Sequence, residues 1–178
     1  MTRKRRRASR LILVLGGAAS GKSQVALDLA GQVGPRVFVA TGQALDREMK
    51  VRIERHQATR SSDWETAEVP ADLAKWFSNN GKSYQTIVLD CLTLWLSNLQ
   101  RRRLRDVAVS EATANLLQAI RATRARVVMV SNELGLGLVP ATKAVRAFRD
   151  LAGRVNQQVA AEADEVYLTI SGLPLRLK

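Results

Sequence analysis

A short apolar run that leads into a glycine-rich turn and a lysine, LILVLGGAASGKS at residues 11–23, restricts the possible folds of this chain more than any other segment. The apolar residues 11–15 predict a buried strand, and helical spacing begins at Ser23. Residues 16–23 fit the pattern G-x-x-x-x-G-K-[ST], which binds phosphate when it lies between a strand and a helix. The segment therefore predicts a phosphate-binding loop in an α/β protein.

Each part of this loop has a chemical role. Glycines let the backbone curl so that successive N–H groups face phosphate oxygens, and the helix N-terminus adds the positive end of its dipole. Lys22 is expected to bridge the β- and γ-phosphates, and the Ser23 hydroxyl to bind Mg²⁺. A glycine-rich turn that fits by chance is the alternative. The predicted nucleotide-binding residues here are Gly16, Gly17, Ala18, Ala19, Ser20, Gly21, Lys22 and Ser23.

A second metal ligand is predicted at the end of another strand. The apolar residues 87–89 lead into Asp90, which is the arrangement expected for a carboxylate that shares Mg²⁺ with Ser23. A helix-capping role for Asp90, ahead of the segment CLTLWLSNL, is the alternative.

A similar strand end, VSNE, precedes the segment LGLGLVP. Glu133 at this point would orient a nucleophile or a metal-bound water, or else belong to an ordinary turn. Gly135 and Gly137 are candidate hinges of a mobile loop.

Short β-branched runs alternate with stretches of helical spacing along the chain. This alternation predicts a mostly parallel sheet with helices on both faces, and the break at Gly172 and Pro174 predicts a closing antiparallel hairpin or edge strand. The predicted strands are 11–15, 36–41, 86–90, 126–132 and 165–171, and the predicted helices are 23–32, 45–57, 71–78, 111–123 and 141–163.

Composition predicts one soluble domain with a basic tail. A chain of 178 residues, 46% hydrophobic, can close one sizeable core, so we expect a single domain at 11–178 and a solvated, disordered tail at 1–10. The tail contains six of the basic residues behind the net charge of +12. That charge makes nucleic acid a partner to consider, but 4% aromatic content does not indicate a base-stacking surface.

Three further features favour a cytoplasmic location without a membrane span. No apolar run approaches the 18 to 20 or so residues that a span requires, and residues 11–15 are too few for the apolar part of a secretory signal. A lone Cys91 cannot form an internal disulfide, which is consistent with a reducing compartment.

His56 is the only histidine in the chain. On a helix it would share a face with Ile53 and Met49, and this spacing alone favours a partly buried structural role. Nearby arginines favour its neutral, nucleophilic form and would also bind phosphate. The spacing leaves both roles open.

Several motifs in a fixed order resemble those of one enzyme family. GGAASGKS is followed by VATGQALDREMKVRIERHQATRSSDWETAE, then LDCLTLWLSNL, VSNELGLGLVP and FRDLAGRVNQQVAAEADEVYLTISGLPLRLK. From about residue 11 to the C-terminus, the chain resembles the bifunctional adenosylcobinamide kinase / adenosylcobinamide-phosphate guanylyltransferases of cobalamin synthesis. It departs from many relatives at Ser61, where they have proline, and in its basic tail.

The resemblance implies a P-loop NTPase with a RecA-like core that assembles as a homotrimer. It implies that adenosylcobinamide is phosphorylated by ATP or GTP at residues 16–23. His56 would then attack the α-phosphate of GTP, release pyrophosphate and pass GMP to adenosylcobinamide phosphate, giving adenosylcobinamide-GDP. The resemblance also implies guanine-nucleotide contacts for Thr41, Gly42, Gln43, Gln57, Ala58, Thr59, Arg60, Glu68 and Asp90.

Two other functions compete with this interpretation. A P-loop kinase of another small metabolite would transfer phosphate without forming a covalent nucleotide, and His56 would be structural. A nucleic-acid-binding ATPase would bind DNA or RNA with an affinity that falls steeply with salt.

Overall fold

The computed structural model describes residues 9–58 and 62–178, without the side chains of residues 52 and 55–58. The predicted tail at 1–10 lies outside the described residues except for Ser9 and Arg10. The strands are β1 (Arg10–Gly16), β2 (Arg36–Ala40), β3 (Trp64–Glu68), β4 (Thr86–Asp90), β5 (Arg126–Asn132), β6 (Glu165–Ile170) and β7 (Leu173–Arg176). The helices are α1 (Lys22–Ala30), α2 (Arg47–Ala58), α3 (Leu73–Asn80), α4 (Leu92–Arg101), α5 (Asp106–Arg121) and α6 (Lys143–Glu162), with a short 3-10 helix at Gly81–Ser83.

The seven strands form one sheet in the order β3-β2-β4-β5-β1-β6-β7. All neighbouring pairs are parallel except β6 and β7, which form an antiparallel edge. Because the carboxyl ends of parallel strands lie at one edge of a sheet, the loops after β1, β2, β4 and β5 emerge together there. The predicted fold class, including the C-terminal edge hairpin, is confirmed.

Strand β1 is buried on both faces of the sheet. Leu11, Leu13 and Leu15 belong to the larger core cluster, which includes residues of helices α3 to α6. Ile12 and Val14 belong to a second cluster that includes residues of α1. Burial on both faces explains why the run LILVL shows no alternation of polar and apolar residues, and it confirms the prediction of helices on both sides.

Two elements, β3 and α4, were absent from the predicted pattern. Strand β3 has the sequence WETAE and is mostly exposed, because it is an edge strand with only β2 as its neighbour. Helix α4 buries six of its ten residues, and its apolar residues at 92, 95, 96 and 99 follow the helical period, so the sequence did contain a signal for this helix. Helix α5 also begins at Asp106, five residues before the predicted start.

No helix in the described part of the chain has both the length and the apolar character needed to cross a bilayer.

Asp164 ties the start of β1 to the rest of the fold. Its Oδ2 accepts hydrogen bonds from Leu11 N at 2.6 Å and from Arg121 Nη1 at 2.9 Å. Burial raises the pKa of the Asp164 carboxyl, but the hydrogen bonds from Arg121 and Leu11 N and the charge of Arg121 outweigh burial, so the pKa lies below its ordinary value. The ionised carboxylate therefore stabilises the folded state.

Replacement Asp164→Asn is expected to lower the free energy of unfolding by about 1 kcal/mol at pH 7. Because the pKa is lower in the folded state, the stabilisation is complete above the unfolded pKa of about 3.9 and is lost as pH falls through the folded value. The difference between wild type and variant should therefore shrink in acid, as measured by urea unfolding at pH 7 and pH 3. Asp28→Asn, on an exposed face of α1, is the control and should change stability by less than about 0.5 kcal/mol. Equal effects of the two substitutions would contradict the prediction.

Candidate active site

The phosphate-binding loop connects β1 to α1 and contains two residues in the left-handed backbone region. Ala19 has φ 54° and Gly21, the N-cap of α1, has φ 89°. Glycine adopts the second conformation without steric cost. Ser20 N donates to Gly17 O at 3.3 Å and Val25 N donates to Gly21 O at 3.1 Å, so a tight turn runs directly into the helix. The predicted order of strand, loop and helix is present.

Gly16 is required because two other chain segments approach it closely. A Cβ atom at this position would lie 2.4 Å from Ser20 Oγ and 2.8 Å from the backbone oxygen of Thr169. The serine side chain can move, but Thr169 belongs to β6, which pairs with β1 at this point. Any larger residue would push β1 and β6 apart.

Replacement Gly16→Ala is therefore expected to lower the free energy of unfolding by about 1 to 3 kcal/mol through overpacking and to weaken nucleotide binding by distorting the loop. Chemical denaturation and equilibrium dialysis with GTP measure the two effects. Gly153→Ala in α6 is the matched control, because its Cβ meets no atom within 4 Å; it should stabilise the protein by up to about 1 kcal/mol. A Gly16→Ala protein as stable as wild type would contradict the prediction, because it would show that β6 can shift to accept the added Cβ without loss of stability.

Lys22 points its ammonium group into the loop. Its Nζ donates to Gly17 O at 2.7 Å. Burial lowers the pKa of the Lys22 ammonium, and the nearby Cys91 and Asp90 side chains act in the opposite direction. A partly desolvated ammonium gains more than a solvated one when a phosphate approaches, because the local dielectric constant is lower.

Ser23 and Asp90 meet although 67 residues separate them. Ser23 Oγ donates to Asp90 Oδ2 at 2.7 Å. Asp90 does not cap α4, since Cys91 occupies the N-cap position and no side chain caps that helix. The predicted alternative, in which Asp90 caps α4, is therefore wrong. The interpretation that pairs Asp90 with Ser23 at a metal site remains a prediction.

The donor atoms of Ser23 and Asp90 suit Mg²⁺. A hydroxyl and a carboxylate leave most coordination positions to water and phosphate oxygens, which is how Mg²⁺ is usually held beside a nucleotide. The described residues contain no group of three or more His, Cys, Asp or Glu side chains placed to enclose a metal ion.

Thr41 and Glu68, two of the other residues implied by the resemblance, lie at the carboxyl ends of β2 and β3, next to the end of β4. Ala40 pairs with both Glu68 and Asp90, and Glu68 is exposed. Thr41 is fully buried, and its hydroxyl donates to Cys91 O at 2.7 Å and accepts from Cys91 N at 2.8 Å. Thr41 therefore joins the ends of β2 and β4, and its hydroxyl is already engaged.

Cys91 itself is a structural residue. Burial raises the pKa of its thiol to about 12, with a further contribution from Asp90. The thiol therefore remains protonated and is not a nucleophile at neutral pH.

Helix α2 lies beside this edge and contains the predicted nucleophile. Asp46 Oδ1 accepts from Met49 N at 2.7 Å at the start of the helix. A Cβ atom on Gly42 would lie 3.4 Å from Leu94 Cδ1 and 3.7 Å from Ile53 Cδ1, so Ile53 packs near Gly42. Residue 56 follows Ile53 by about one helical turn.

The remaining predicted contacts divide between described and undescribed positions. Gln43 is exposed in the segment between β2 and α2, and Gln57 and Ala58 end α2. Thr59 and Arg60 lie outside the described residues, as do the side chains of His56 and Gln57.

Glu133 supports two loops. Its backbone N–H donates to Gly16 O at 3.0 Å, and its Oε1 accepts from Gly135 N at 3.0 Å. Neither Gly135 nor Gly137 has a positive φ. The contacts of Glu133 fit its predicted alternative, a residue of an ordinary strand-to-loop turn.

Sequence reasoning missed one contact of the phosphate-binding loop. In the turn between β6 and β7, Gly172 N donates to Ser20 O at 2.8 Å, and a Cβ on Gly21 would lie 3.0 Å from Gly172 Cα. Ser171 and Gly172 both have positive φ, 51° and 82°. The break at Gly172 and Pro174 predicted a hairpin or edge strand here, but it gave no information about which distant loop the turn contacts.

Comparison with known proteins identifies the family. The family model described as cobinamide kinase / cobinamide phosphate guanyltransferase matches residues 12–177. The chain belongs to this family. The predicted family and the predicted activities, a phosphotransferase and a nucleotidyltransferase of cobalamin biosynthesis, are confirmed by this match.

Individual members of the cobinamide kinase / cobinamide phosphate guanyltransferase family match over nearly their whole length. The bifunctional adenosylcobalamin biosynthesis protein CobU of Escherichia coli (strain K12) is 37% identical over 94% of this chain and 99% of its own. The protein of the same name from Salmonella typhimurium is 38% identical over the same shares. The bifunctional adenosylcobalamin biosynthesis protein CobP of Pseudomonas aeruginosa is 41% identical over 93% of this chain and 96% of its own.

A solved structure supports the fold independently of sequence. The KaiC-like protein PH0186 of Pyrococcus horikoshii OT3 superposes with a TM-score of 0.52 and 11% identity, over 90% of this chain and 71% of that chain. At this identity the likeness concerns the fold alone, and it agrees with the predicted mostly parallel sheet with helices on both faces.

Proposed function

We propose that the two activities of this family are divided between the phosphate-binding loop and α2. Phosphorylation of adenosylcobinamide takes place at residues 16–23 with Asp90, and guanylyl transfer proceeds through a covalent GMP on His56. The hydrogen bond between Ser23 Oγ and Asp90 Oδ2 supports the first half of the proposal, since a hydroxyl and a carboxylate that could share Mg²⁺ meet at the start of α1. The second half rests on the family resemblance around residue 56.

In the kinase step, the chain binds and orients the triphosphate. The backbone N–H groups of the loop and the N-terminus of α1 attract the phosphates, and Lys22 exchanges its contact with Gly17 O for the β- and γ-oxygens. Ser23 and Asp90 would hold Mg²⁺, which neutralises charge on the transferred phosphoryl group. The acceptor hydroxyl oxygen forms a bond to the γ-phosphorus as the bond from that phosphorus to the β-phosphate oxygen breaks. The nucleoside diphosphate leaves, and the hydroxyl proton passes to solvent.

In the guanylyl step, the neutral imidazole of His56 forms a P–N bond to the α-phosphorus of GTP, and the bond to the leaving pyrophosphate breaks. A phosphate oxygen of adenosylcobinamide phosphate then attacks the same phosphorus, which forms adenosylcobinamide-GDP and restores the imidazole. The covalent intermediate divides one difficult transfer into two easier displacements. Glu68 and Gln43 are exposed near this edge of the sheet and are proposed guanine-nucleotide contacts, together with Gln57, Ala58, Thr59 and Arg60.

The proposal also covers the oligomeric state of the protein, its cellular location and its partners. The resemblance supports a homotrimer that works in the cytoplasm with ATP, GTP and Mg²⁺. Nucleic acid is not a proposed partner, because six of the twelve net positive charges belong to the tail.

Incubation with α-labelled GTP and Mg²⁺ followed by denaturation tests the covalent step. Label is expected to stay on the wild-type protein, to be lost in acid as a phosphoramidate is, and to be absent when γ-labelled GTP is used. A folded protein that binds GTP but retains no label would refute the guanylyl half and favour a simple P-loop kinase. Stimulation of nucleoside triphosphate hydrolysis by DNA or RNA would favour the alternative function of a nucleic-acid-binding ATPase.

A further inference from the structure

The connection from β5 to α6 exposes a group of large aliphatic side chains. Leu136, Leu138 and Val139 have 77%, 96% and 71% of their surface exposed. One exposed leucine is ordinary on a protein surface, whereas a contiguous group marks a binding surface. We call residues 134–140 the apolar loop, and its three exposed side chains contribute little to the core.

The apolar loop begins beside the phosphate-binding loop. Gly16 pairs with Asn132 at the ends of β1 and β5, and Glu133 N donates to Gly16 O at 3.0 Å. The residue directly before the apolar loop is thus hydrogen-bonded to the first residue of the phosphate-binding loop. A molecule that rests on the apolar loop would lie next to a bound triphosphate.

Hydrogen bonds anchor both ends of the apolar loop. At the first end, Glu133 Oε1 accepts from Gly135 N at 3.0 Å. At the other, Arg146 Nη1 donates to Pro140 O and Ala141 O, each at 2.8 Å. The exposed side chains lie between these anchors, so a ligand would not need to order the whole segment on binding.

The charge next to the apolar loop suits a ligand that also carries phosphate. Helix α6 starts at Lys143, and Thr142 Oγ1 accepts from Val145 N at 3.3 Å as its N-cap. Lys143 is exposed and Arg146 lies one turn later. Apolar contact and positive charge therefore occur on one short stretch.

We propose that the apolar loop binds the corrin macrocycle of cobinamide and of its phosphate. The macrocycle carries methyl groups among its amide side chains, which offer apolar contact at the ring edge, and it carries its hydroxyl, or its phosphate, on a flexible side chain. Contact of the ring with Leu136 and Leu138 leaves that side chain free to reach the triphosphate. This inference rests on the proposed function, because it presumes that cobinamide is the acceptor. A second copy of this chain is the competing occupant.

The double variant Leu136→Ser/Leu138→Ser tests the proposal with cobinamide as the probe, by equilibrium dialysis followed through its visible absorbance. The dissociation constant for cobinamide is expected to rise by about 10- to 100-fold, because two apolar contacts are lost. The dissociation constant for GTP and the thermal midpoint should stay close to wild type, since the substitutions are at the surface.

Leu177→Ser is the matched control. Leu177 is 57% exposed, and its N–H donates to Val166 O at 2.8 Å, near the start of β6 and so at the opposite edge of the sheet. Its cobinamide affinity should equal that of wild type. The single variant Leu138→Asn, which also retains the fold, should show a smaller loss of affinity.

Three results would overturn the proposal. The first is unchanged cobinamide binding by the folded double variant, and the second is an equal loss of cobinamide affinity in Leu177→Ser. The third is that the double variant loses an oligomer seen for wild type on gel filtration while its cobinamide affinity per subunit is unchanged. That result would assign the apolar loop to a contact between copies of the chain. Wild-type protein that binds GTP but not cobinamide would refute the proposed function itself. The two failures are therefore distinguishable.

Discussion

Lys22→Ala is expected to lower the rate of adenosylcobinamide phosphorylation at least about 100-fold, the scale on which loss of one preorganised charge donor acts on a transition state. Lys22 Nζ lies 2.7 Å from Gly17 O, inside the loop that receives the triphosphate. Alanine removes the cation that neutralises charge on the transferred group. A steady-state assay with adenosylcobinamide and labelled ATP or GTP measures the change, and the unfolding midpoint should stay close to wild type.

Lys82→Ala is the control for Lys22→Ala. Lys82 is an exposed lysine in the short 3-10 helix before β4, at the amino edge of the sheet. Lys82→Ala removes the same charge but leaves the phosphate-binding loop unchanged. The rate of adenosylcobinamide phosphorylation should therefore change by less than about twofold. Kinase activity of Lys22→Ala at the level of Lys82→Ala would refute the assignment of the loop.

The lowered pKa of Lys22 adds a dependence on pH. The protonated ammonium binds phosphate, and burial disfavours that form in the free protein. Affinity for the triphosphate should therefore fall on the alkaline side at a pH below 10.5, the usual lysine pKa. In Lys22→Ala this alkaline fall should be absent when binding is followed by calorimetry.

His56→Ala is expected to reduce labelling by α-labelled GTP by more than about 1,000-fold, since the proposed nucleophile is removed. Transfer of GMP to adenosylcobinamide phosphate should fall with it. Phosphorylation of adenosylcobinamide should persist, because Lys22, Ser23 and Asp90 belong to other elements. Paired kinase and guanylyltransferase assays on one preparation separate the two effects.

His56 is the only histidine in the chain, which makes the outcome specific. Acid-labile label retained by His56→Ala would place the nucleotide on another nitrogen, with lysine as the alternative, and would contradict the proposed mechanism. Loss of both activities with an unchanged unfolding midpoint would show that the two steps share this residue.

The sequence by itself determined the features encoded within short windows. Five apolar residues without alternation predicted a strand buried on both faces, and β1 is such a strand. The pattern at residues 16–23 predicted the turn between strand and helix, because its glycines and its lysine lie within one loop. Motifs in a fixed order also identified the family, since each is a local pattern that needs no knowledge of the fold.

Only the tertiary structure decided which distant residues meet. Ser23 and Asp90 are brought within 2.7 Å because β1 and β4 both pair with β5, and the turn at Gly172 reaches Ser20 because β6 pairs with β1. Strand β3 was missed because an exposed edge strand has no apolar period to recognise. Local propensity is set by a few neighbouring residues, whereas strand order is set by packing across the whole chain. For this reason the strand, loop and helix around residues 16–23 were predictable from the sequence, but the distant contacts of that loop were not.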